Sequence, residues 1–446
     1  MTRRRTRFTA LVALVLAIVV VGLSGVPAQI AAGPSAIASS TSAPSSASVA
    51  PTASPAATAV ATPVATPAAS PTVPPPVLSI LDRTGIEPRL QAALDADQQA
   101  LAAPGMVATV LFADGSTWSG TAGVADLASG RPLTVETPFS IASISKTFLA
   151  AEVMTLVQGG TLSLDASAAA LLPGTLVGGR AIDPRITVRE LLDHTSGLRD
   201  YLVDPKLGLA VEADRRRIWT PAEALAYAGT PLAAPGVGYH YANTNYVLLG
   251  LIVERLTART LAQEYRARFF DPLGMRNSFY QVAETPTAQM PTAYQYSSVK
   301  LNAVPADVTD GTGVRPFTSI TTAAGAAGSV AASAPDLARW AVSLYDGSVL
   351  EPATLQAMLA DAASTSTLKP GYPYGLGVQE FVIDGRLSYG HSGRLVGARS
   401  AMRWFPDPGV AIVVLTNESR FDPGIVVRDL LAVVAPRIVW ARTSPH

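Results

Sequence analysis

Strand patterns lie at both ends of the folded part of this chain, and helical patterns lie between them. Residues 106–126 alternate apolar and polar side chains around Asp114-Gly115, which indicates a β-hairpin. The C-terminal part contains four more strand patterns, "YGLGVQEFVI", "RLSYGHSG", "ARSAMRWF" and "VAIVVLTN". This order predicts an α+β fold, in which both chain ends form one antiparallel sheet that is flanked by helices and carries an inserted helical lobe. A Rossmann fold or an α/β barrel would need strands and helices to alternate.

The helical patterns have start and stop signals of their own. Residues 89–102 place apolar side chains at helical spacing. The middle region contains capping-box sequences at Thr187–Glu190, Thr220–Glu223 and Thr260–Gln263. A last helical pattern, at 424–441, contains Arg428, Asp429 and Pro436, so it does not predict a membrane span.

The N-terminal region has the composition of an export signal followed by a spacer. A basic segment and an apolar run precede the small-residue sequence Val26–Ala28, so residues 1–28 are predicted to be a signal peptide or a retained membrane anchor. Residues 29–76 are mostly Ala, Ser, Pro, Thr and Val without any charge, which predicts a disordered linker. The folded domain is then 77–446, and the protein is expected to be secreted or anchored outside the cytoplasm.

The composition excludes several classes of function. Thirty-three basic residues balance thirty-three acidic ones, which removes the electrostatic case for binding nucleic acid or an anionic membrane surface. The absence of cysteine excludes disulfides and thiol chemistry. The four histidines are scattered and form no HxH or HExxH pair, so neither a metal nor another cofactor is predicted.

The pattern Ser-x-x-Lys occurs three times, and its context distinguishes one occurrence. Residues 143–158 have apolar side chains at helical spacing and end at Gly159-Gly160, so Ser143 begins a helix and Lys146 lies on the same face one turn later. Ser297–Lys300 lies in a polar stretch without a helical period, and in Ser366–Lys369 the lysine precedes a proline, which disfavours a helix there.

A serine and a neighbouring lysine can act as nucleophile and base only if the pKa of the lysine is strongly lowered. A serine hydroxyl needs a nearby base at neutral pH, and a free lysine, with a pKa of about 10.4, is not one. Burial can lower that pKa by several units. A catalytic Lys146 must therefore be largely buried; the alternative is a helix-capping serine beside a surface lysine.

Two further motifs follow in the chain, Tyr241-Ala242-Asn243 and His391-Ser392-Gly393. Together with Ser143-x-x-Lys146 they have the order and rough spacing of the three motifs of penicillin-recognising serine enzymes. The chain resembles the class C β-lactamase and D-alanyl-D-alanine carboxypeptidase family, which also contains esterases and D-amino-acid amidases. Segments such as "ITVRELLDHTSGL" and "YANTNYVLLGLIVE" resemble the framework of that family, and the resemblance covers about 85–440.

The resemblance implies roles for the residues of the first two motifs. Ser143 would be the acylated nucleophile and Lys146 its proton partner. Tyr241 would act as base for the attack and acid for the leaving group, either as a phenolate or through Lys146. Asn243 would donate a hydrogen bond to the amide on the acyl side of the substrate.

The third motif would form the strand that faces the nucleophile. His391 and Ser392 would line this strand, and Gly393 would let the substrate approach it closely. The backbone N–H groups of Ser143 and Arg394 would form the oxyanion hole, in which one donor contributes on the order of 3 kcal/mol.

His391 is a departure, because most β-lactamases have lysine at this position. The histidine form is more similar to the carboxypeptidases and esterases of the family. A protonated His391 could bind a substrate carboxylate; a neutral one would be a proton relay or a structural residue, which would leave the anion to Arg394. His194 and His240 are both predicted to be structural.

These expectations describe an extracytoplasmic serine hydrolase that works through an acyl-enzyme, most like a D-Ala-D-Ala carboxypeptidase or a related esterase. Its substrate would be a small molecule or a peptide, cell-wall peptide included. A β-lactamase and a catalytically idle protein that binds penicillin or peptides stay open as alternatives. An α/β-hydrolase is excluded, since the chain has no Gly-x-Ser-x-Gly motif.

Overall fold

The computed structural model describes residues 85–298, 300 and 303–435. The predicted signal peptide or anchor (1–28) and the predicted linker (29–76) lie outside the described residues, as do both ends of the predicted 77–446 domain. Within the described ranges, no helix has the length and apolarity that crossing a membrane requires.

The strands and helices are numbered in chain order. The strands are β1 Gly105–Leu111, β2 Thr117–Gly123, β3 Phe139–Ser140, β4 Leu176–Val177, β5 Arg180–Ala181, β6 Phe279–Tyr280, β7 Tyr294–Tyr296, β8 Pro305–Asp307, β9 Val330–Ala332, β10 Gln379–Ile383, β11 Arg386–Leu395, β12 Ala398–Phe405 and β13 Val410–Thr416. The α-helices are α1 Ile86–Leu101, α2 Ser145–Gln158, α3 Ala168–Leu171, α4 Val188–Leu192, α5 Pro205–Ala213, α6 Pro221–Leu225, α7 Asn243–Thr257, α8 Leu261–Tyr265, α9 Thr318–Ala324, α10 Ala334–Tyr345, α11 Pro352–Leu368 and α12 Gly424–Val434. Short 3₁₀ turns lie at Ala142–Ile144, Tyr201–Val203 and Gly325–Ala327, and a π-helical turn lies at Arg266–Phe270.

One six-stranded antiparallel sheet contains strands from both chain ends, which confirms the predicted α+β fold. Its order is β10-β11-β12-β13-β1-β2, so the N-terminal hairpin β1–β2 joins the C-terminal strands through the β1–β13 pair. The hairpin β1–β2 turns at Asp114-Gly115, as the sequence predicts. Strands β12 and β13 are joined at residues 406–409, "PDPG". The helical lobe is inserted between β2 and β10, as the order of patterns predicts.

The two faces of the sheet pack against different layers because side chains alternate along each strand. Met106, Ala108 and Val110 of β1 belong to an apolar cluster with α1 and α12, whereas Val107 belongs to the cluster of the helical lobe. Strand β13 divides its side chains between the same two clusters. The sheet is thereby buried between terminal helices on one face and the inserted lobe on the other.

The three predicted capping boxes all form. The threonine side chains at the N-caps of α4, α6 and α8 accept from the third helical backbone N–H, and the Glu or Gln at that position accepts from the N-cap N–H. The expected helix at 424–441 begins as predicted and is described to Val434. The strand pattern that starts at Tyr374 becomes regular only at Gln379, because Gly377 has a left-handed φ of 81°.

Helix α2 is held in the core by an aromatic stack. The rings of Phe148 and Trp340 lie parallel within 12°, with centroids 4.1 Å apart, and the Trp340 indole N–H donates to the Thr147 hydroxyl at 2.9 Å. Both rings are fully buried. This stack fixes the helix that carries Lys146 against α10.

We expect Phe148→Ala to lower the free energy of unfolding by about 3–5 kcal/mol, because it leaves a ring-sized cavity beside Trp340. Urea denaturation measures this loss. Leu209→Ala is the matched control: Leu209 is 46% exposed, so its truncation should change stability by no more than about 0.5 kcal/mol. Equal losses for the two variants would contradict the role given to the stack.

Candidate active site

The Ser143 side chain projects from a tight turn rather than from a regular α-helix. Strand β3 leads into the 3₁₀ turn Ala142–Ile144, and α2 begins only at Ser145. Ala142 has a left-handed φ of 49°, a conformation that costs an alanine about 1–2 kcal/mol. Neighbouring segments hold the turn: Ile141 N–H donates to the Val330 carbonyl, and the Ser400 hydroxyl donates to the Ile141 carbonyl.

Lys146 is completely buried one turn after Ser143. Its ammonium donates to Ser143 Oγ at 3.1 Å, to Asn243 Oδ1 at 2.8 Å and to the Ala327 carbonyl at 2.9 Å, so all three N–H groups have partners. Burial lowers the pKa of Lys146 to about 7, and the charge of Asp200 opposes this shift. The alternative of a surface lysine is therefore wrong.

Asp200 is a charged residue of the site that no motif in the sequence indicates. Its Oδ2 accepts from Asn243 Nδ2 at 2.9 Å and its Oδ1 accepts from Leu202 N–H at 3.0 Å. Burial raises the pKa of this carboxyl, while its hydrogen bonds and the Lys146 charge lower it. Asp200 holds the Asn243 amide so that its oxygen faces Lys146. Its only sequence signal is its position just after "HTSGL".

Tyr241 lies beside Ser143 and Lys146. Lys146 Nζ is 5.1 Å from the centroid of the Tyr241 ring. Burial raises the pKa of the Tyr241 hydroxyl well above its usual value, and its interaction with the Ser143 side chain only partly offsets this. The neutral phenol is therefore strongly favoured. Of the two routes that the sequence leaves open for Tyr241, the raised pKa disfavours the phenolate.

His194 supports the Tyr241 segment. Its Nδ1 accepts from Ala242 N–H at 3.2 Å and lies 3.2 Å from Asn245 Nδ2, and its ring centroid is 4.2 Å from that of Tyr241. Burial lowers the pKa of His194 well below its usual value, so the ring is neutral. His240 N–H donates to the His194 carbonyl. Both contacts agree with the structural role predicted for the two histidines.

His391 is buried and its two nitrogens have partners. Nε2 lies 3.0 Å from the Tyr374 hydroxyl, and Nδ1 lies 2.7 Å from the Ser392 carbonyl. A neutral ring with its proton on Nδ1 satisfies both contacts. Burial, with a smaller effect of the Lys146 charge, lowers the pKa of His391 well below its usual value. The hypothesis that a protonated His391 binds a substrate carboxylate therefore does not fit the structure, because the ring is neutral and already bonded.

Gly393 allows β11 to pass directly over the nucleophile turn. A Cβ at this position would overlap the Ile141 carbonyl oxygen and the Ser400 hydroxyl. Any other residue would push the strand away from Ser143. The glycine of the third motif is thus required by the approach of β11 to the turn.

The backbone of β11 leaves a free edge next to Ser143. Strand β10 pairs with β11 only as far as Gly390. The backbone N–H of Ser392 donates to Gln379 Oε1 at 3.0 Å, so it points away from β12. Because N–H groups two residues apart in a strand point to the same edge, the Arg394 N–H points to the uncovered edge, as the predicted oxyanion donor would have to. The Ser392 hydroxyl also bonds to Gln379.

The other two Ser-x-x-Lys matches lie outside this constellation. Ser297 follows strand β7 in an irregular segment. Ser366 lies in the last turn of α11 and Lys369 is the C-cap of that helix, so the prediction that no helix forms there is wrong for the serine. The proline restricts only the residue before it. In the described ranges, no cluster of three His, Cys, Asp or Glu side chains could hold a metal ion.

Comparisons with known proteins agree with the fold and the motifs. The family model described as Beta-lactamase matches residues 90–435. Penicillin-binding protein 4 of Amycolatopsis lactamdurans is 29% identical over 322 residues, which cover 70% of this chain and 80% of that protein. Esterase EstB of Burkholderia gladioli is 31% identical over 369 residues, which cover 77% of this chain and 93% of that protein.

A solved structure gives the same result. The D-stereospecific amidohydrolase from Streptomyces sp. superposes with a TM-score of 0.66 at 29% identity, over 79% of this chain and 99% of that one. The matched proteins are serine hydrolases of the β-lactamase and transpeptidase superfamily, and residues 90–435 carry the whole constellation around Ser143. The chain belongs to the β-lactamase family and is a serine hydrolase.

Proposed function

We propose that the protein hydrolyses an amide or ester through an acyl-enzyme on Ser143. Its substrates are of the class that a D-alanyl-D-alanine carboxypeptidase or a related esterase hydrolyses. The observation that carries the proposal is Lys146: a buried lysine with a pKa of about 7 lies 3.1 Å from the Ser143 hydroxyl. About half of such a lysine is neutral at pH 7 and can accept a proton.

The acylation step follows from these contacts. Neutral Lys146 takes the proton of the Ser143 hydroxyl as Oγ attacks the carbonyl carbon of the substrate. The backbone N–H groups of Ser143 and Arg394 stabilise the oxyanion of the tetrahedral intermediate. Tyr241 then gives its phenolic proton to the departing nitrogen or oxygen, and the Lys146 ammonium returns a proton to Tyr241. The scissile bond breaks and Ser143 carries the acyl group as an ester.

Hydrolysis of the acyl-enzyme reverses this proton path, with water in place of the leaving group. Asn243 keeps its oxygen on Lys146 and one amide N–H on Asp200. An amide nitrogen has two N–H groups, so the second one remains for the acyl side of the substrate. The constellation is complete, which argues against a catalytically idle binding protein.

The neutral His391 favours substrates that need no fixed cation at the third motif. Of the two proposed substrate classes, the ester therefore fits this position better, whereas a β-lactamase with lysine at this position would have a permanent charge there. A carboxypeptidase would have to bind its carboxylate elsewhere, and Arg394, which directly follows the third motif, is the candidate.

We further propose that the hydrolase works outside the cytoplasm and that its catalytic domain is 77–446. Two features of the sequence support this proposal. Residues 1–28 contain a basic segment, an apolar run and a small-residue cleavage sequence in that order, and residues 29–76 have the uncharged composition of a linker.

Ser143 is expected to be the only acylation site. Incubation with a labelled penicillin or a nitrophenyl ester, followed by mass spectrometry of peptides, should give an adduct on Ser143 and none in Ser143→Ala. Ser140→Ala is the matched control, since Ser140 is also buried but its hydroxyl has no hydrogen-bond partner among the described residues. An adduct on Ser392 or Ser297 would refute the assignment.

The rate should rise with pH through the pKa of Lys146. Because only the neutral amine accepts the Ser143 proton, kcat/KM for a neutral ester should increase from pH 5.5 to 8.5 with a midpoint near 7. Asp200→Asn should move the midpoint to lower pH, because the Asp200 charge raises the pKa of Lys146. Asp165→Asn, at an exposed site, should leave the midpoint unchanged. A profile that is flat across this range would exclude Lys146 as the base.

Export can be tested on the protein made in its own host. We expect N-terminal sequencing of protein from the culture medium or the cell envelope to begin after Ala28 if the signal is cleaved, and at the natural start if it remains as an anchor. Intact protein found only in the cytoplasm would contradict the proposed location.

A further inference from the structure

A cavity of about 260 Å³ lies in the helical lobe, apart from the candidate active site. Its wall comes mainly from α7, α9, the turn Gly325–Ala327 and the segment that follows β6. Within the described part of the chain, none of the residues that line it belongs to the Ser143 constellation. We call it the lobe cavity. A cavity of about 150 Å³ already accommodates a benzene ring, so the lobe cavity has room for an aromatic ring with a short side chain.

Most of the wall of the lobe cavity is apolar. Val247 and Leu251 of α7, Leu261 of α8 and the rings of Trp219 and Tyr280 line it. Leu251 and Tyr280 are half-buried, so part of their surface is accessible. A ligand with an apolar body would gain free energy by covering this surface.

The polar side chains in the wall already have hydrogen-bond partners in the protein, with one exception. The paired groups are the Trp219 indole, the Gln281 amide and the Thr322 and Ser329 hydroxyls, whose partners are Ser319, Arg315, Thr318 and Thr321 respectively. The Tyr280 hydroxyl interacts with the Ser329 side chain. A polar ligand would therefore lose its water here and gain few bonds from these groups.

The exception is Glu254, a half-buried residue of α7 that lines the lobe cavity. Its Oε1 accepts from Leu261 N–H at 3.0 Å. Among the described residues, its Oε2 has no hydrogen-bond partner and its carboxylate has no cationic partner. Arg217, which stacks on the Trp219 ring, pairs instead with Glu223 at 2.9 Å. A carboxylate oxygen beside an apolar wall is thus left for a donor that the ligand brings.

The backbone at the rim of the lobe cavity is strained. Val282 lines the cavity with a φ of 74° and a side chain that is 41% exposed. A β-branched residue rarely adopts a positive φ, and such strain is concentrated at ligand clamps and other functional sites. The neighbouring Gln281 holds this conformation in place, because its backbone N–H donates to the Ser329 carbonyl at 3.0 Å.

We propose that the lobe cavity is a second ligand-binding site, and that its ligands are small organic cations in which a primary ammonium group is attached to an aromatic or aliphatic body. The ammonium donates to Glu254 Oε2, and the apolar body covers Leu251 and the Tyr280 ring. This site does not depend on the proposed function, because the reacting groups around Ser143 have no part in it.

The test uses benzylammonium as the probe and the tryptophan indole groups as reporters. In a titration of the ¹⁵N-labelled protein followed by NMR, we expect the indole N–H signal of Trp219 to shift with a Kd of about 1 mM or lower. Its absence from the spectrum of Trp219→Phe assigns this signal. The indole signals of Trp118, Trp340 and Trp404 should stay in place, since these residues do not line the lobe cavity.

Two further probes separate the charge from the apolar body. Benzyl alcohol keeps the ring and methylammonium keeps the charge, and each should bind at least about tenfold more weakly than benzylammonium. Glu254→Gln should raise the Kd of benzylammonium about tenfold, because the amide keeps an acceptor for Leu261 N–H but has no charge. It should leave the Kd of benzyl alcohol unchanged. Glu87→Gln, the same change at an exposed position of α1, is the matched control and should alter neither Kd.

The absence of any indole shift, a shift confined to tryptophans other than Trp219, or equal affinities for benzylammonium and benzyl alcohol would overturn the lobe-cavity site. An unchanged Kd in a folded Glu254→Gln variant would do the same. The melting temperature identifies a variant that fails to fold, in which case the comparison of the three probes on the wild-type protein decides. Because binding is measured without turnover, a protein that binds benzylammonium but hydrolyses no amide or ester would retain the lobe-cavity site and refute only the proposed function.

Discussion

Lys146 can remain inside this protein only because three oxygen atoms from separate segments surround its amine. They come from the nucleophile turn, from the first residue of α7 and from the 3₁₀ turn that ends at Ala327. A buried lysine without such partners would be strongly destabilising. The same burial lowers its pKa to about 7, so the arrangement that makes the charge tolerable also makes the amine a base.

The need to keep three oxygen atoms around the Lys146 amine explains why the segments that carry them are tightly connected to the core. Helix α2 is fixed by the stack of Phe148 on Trp340, and the start of α7 is held by His194 and Asp200 through backbone and side-chain hydrogen bonds. If any of the three oxygen atoms moved by an ångström or two, the fully buried amine would lose a hydrogen-bond partner. The strained φ of Ala142 lies within the same connected region.

Electrostatics in the site are set by burial more than by paired charges. Burial makes His391 and His194 neutral and keeps Tyr241 a phenol, while it brings the pKa of Lys146 close to neutrality. Asp200 is the one acid in this set, and it acts on Lys146 through space and on Asn243 by a hydrogen bond. In the proposed mechanism, protons can therefore move between Ser143, Lys146 and Tyr241 without a base other than the neutral Lys146 amine.

The fold class, the family and the positions of the three motifs follow from the sequence, because they depend on local periodicity and on residue types at short spacing. The capping boxes and the hairpins formed where the sequence predicts them. It also identified Ser143 among three similar serines, since only that one begins a long apolar helix pattern.

The burial and the hydrogen-bond partners of these side chains could be read only from the three-dimensional structure, because long-range contacts have no signal in a local pattern. It showed that His391 is buried, with a lowered pKa, and bonded to Tyr374. It also showed that Asp200 belongs to the site and that Gly393 makes room for the Ile141 carbonyl.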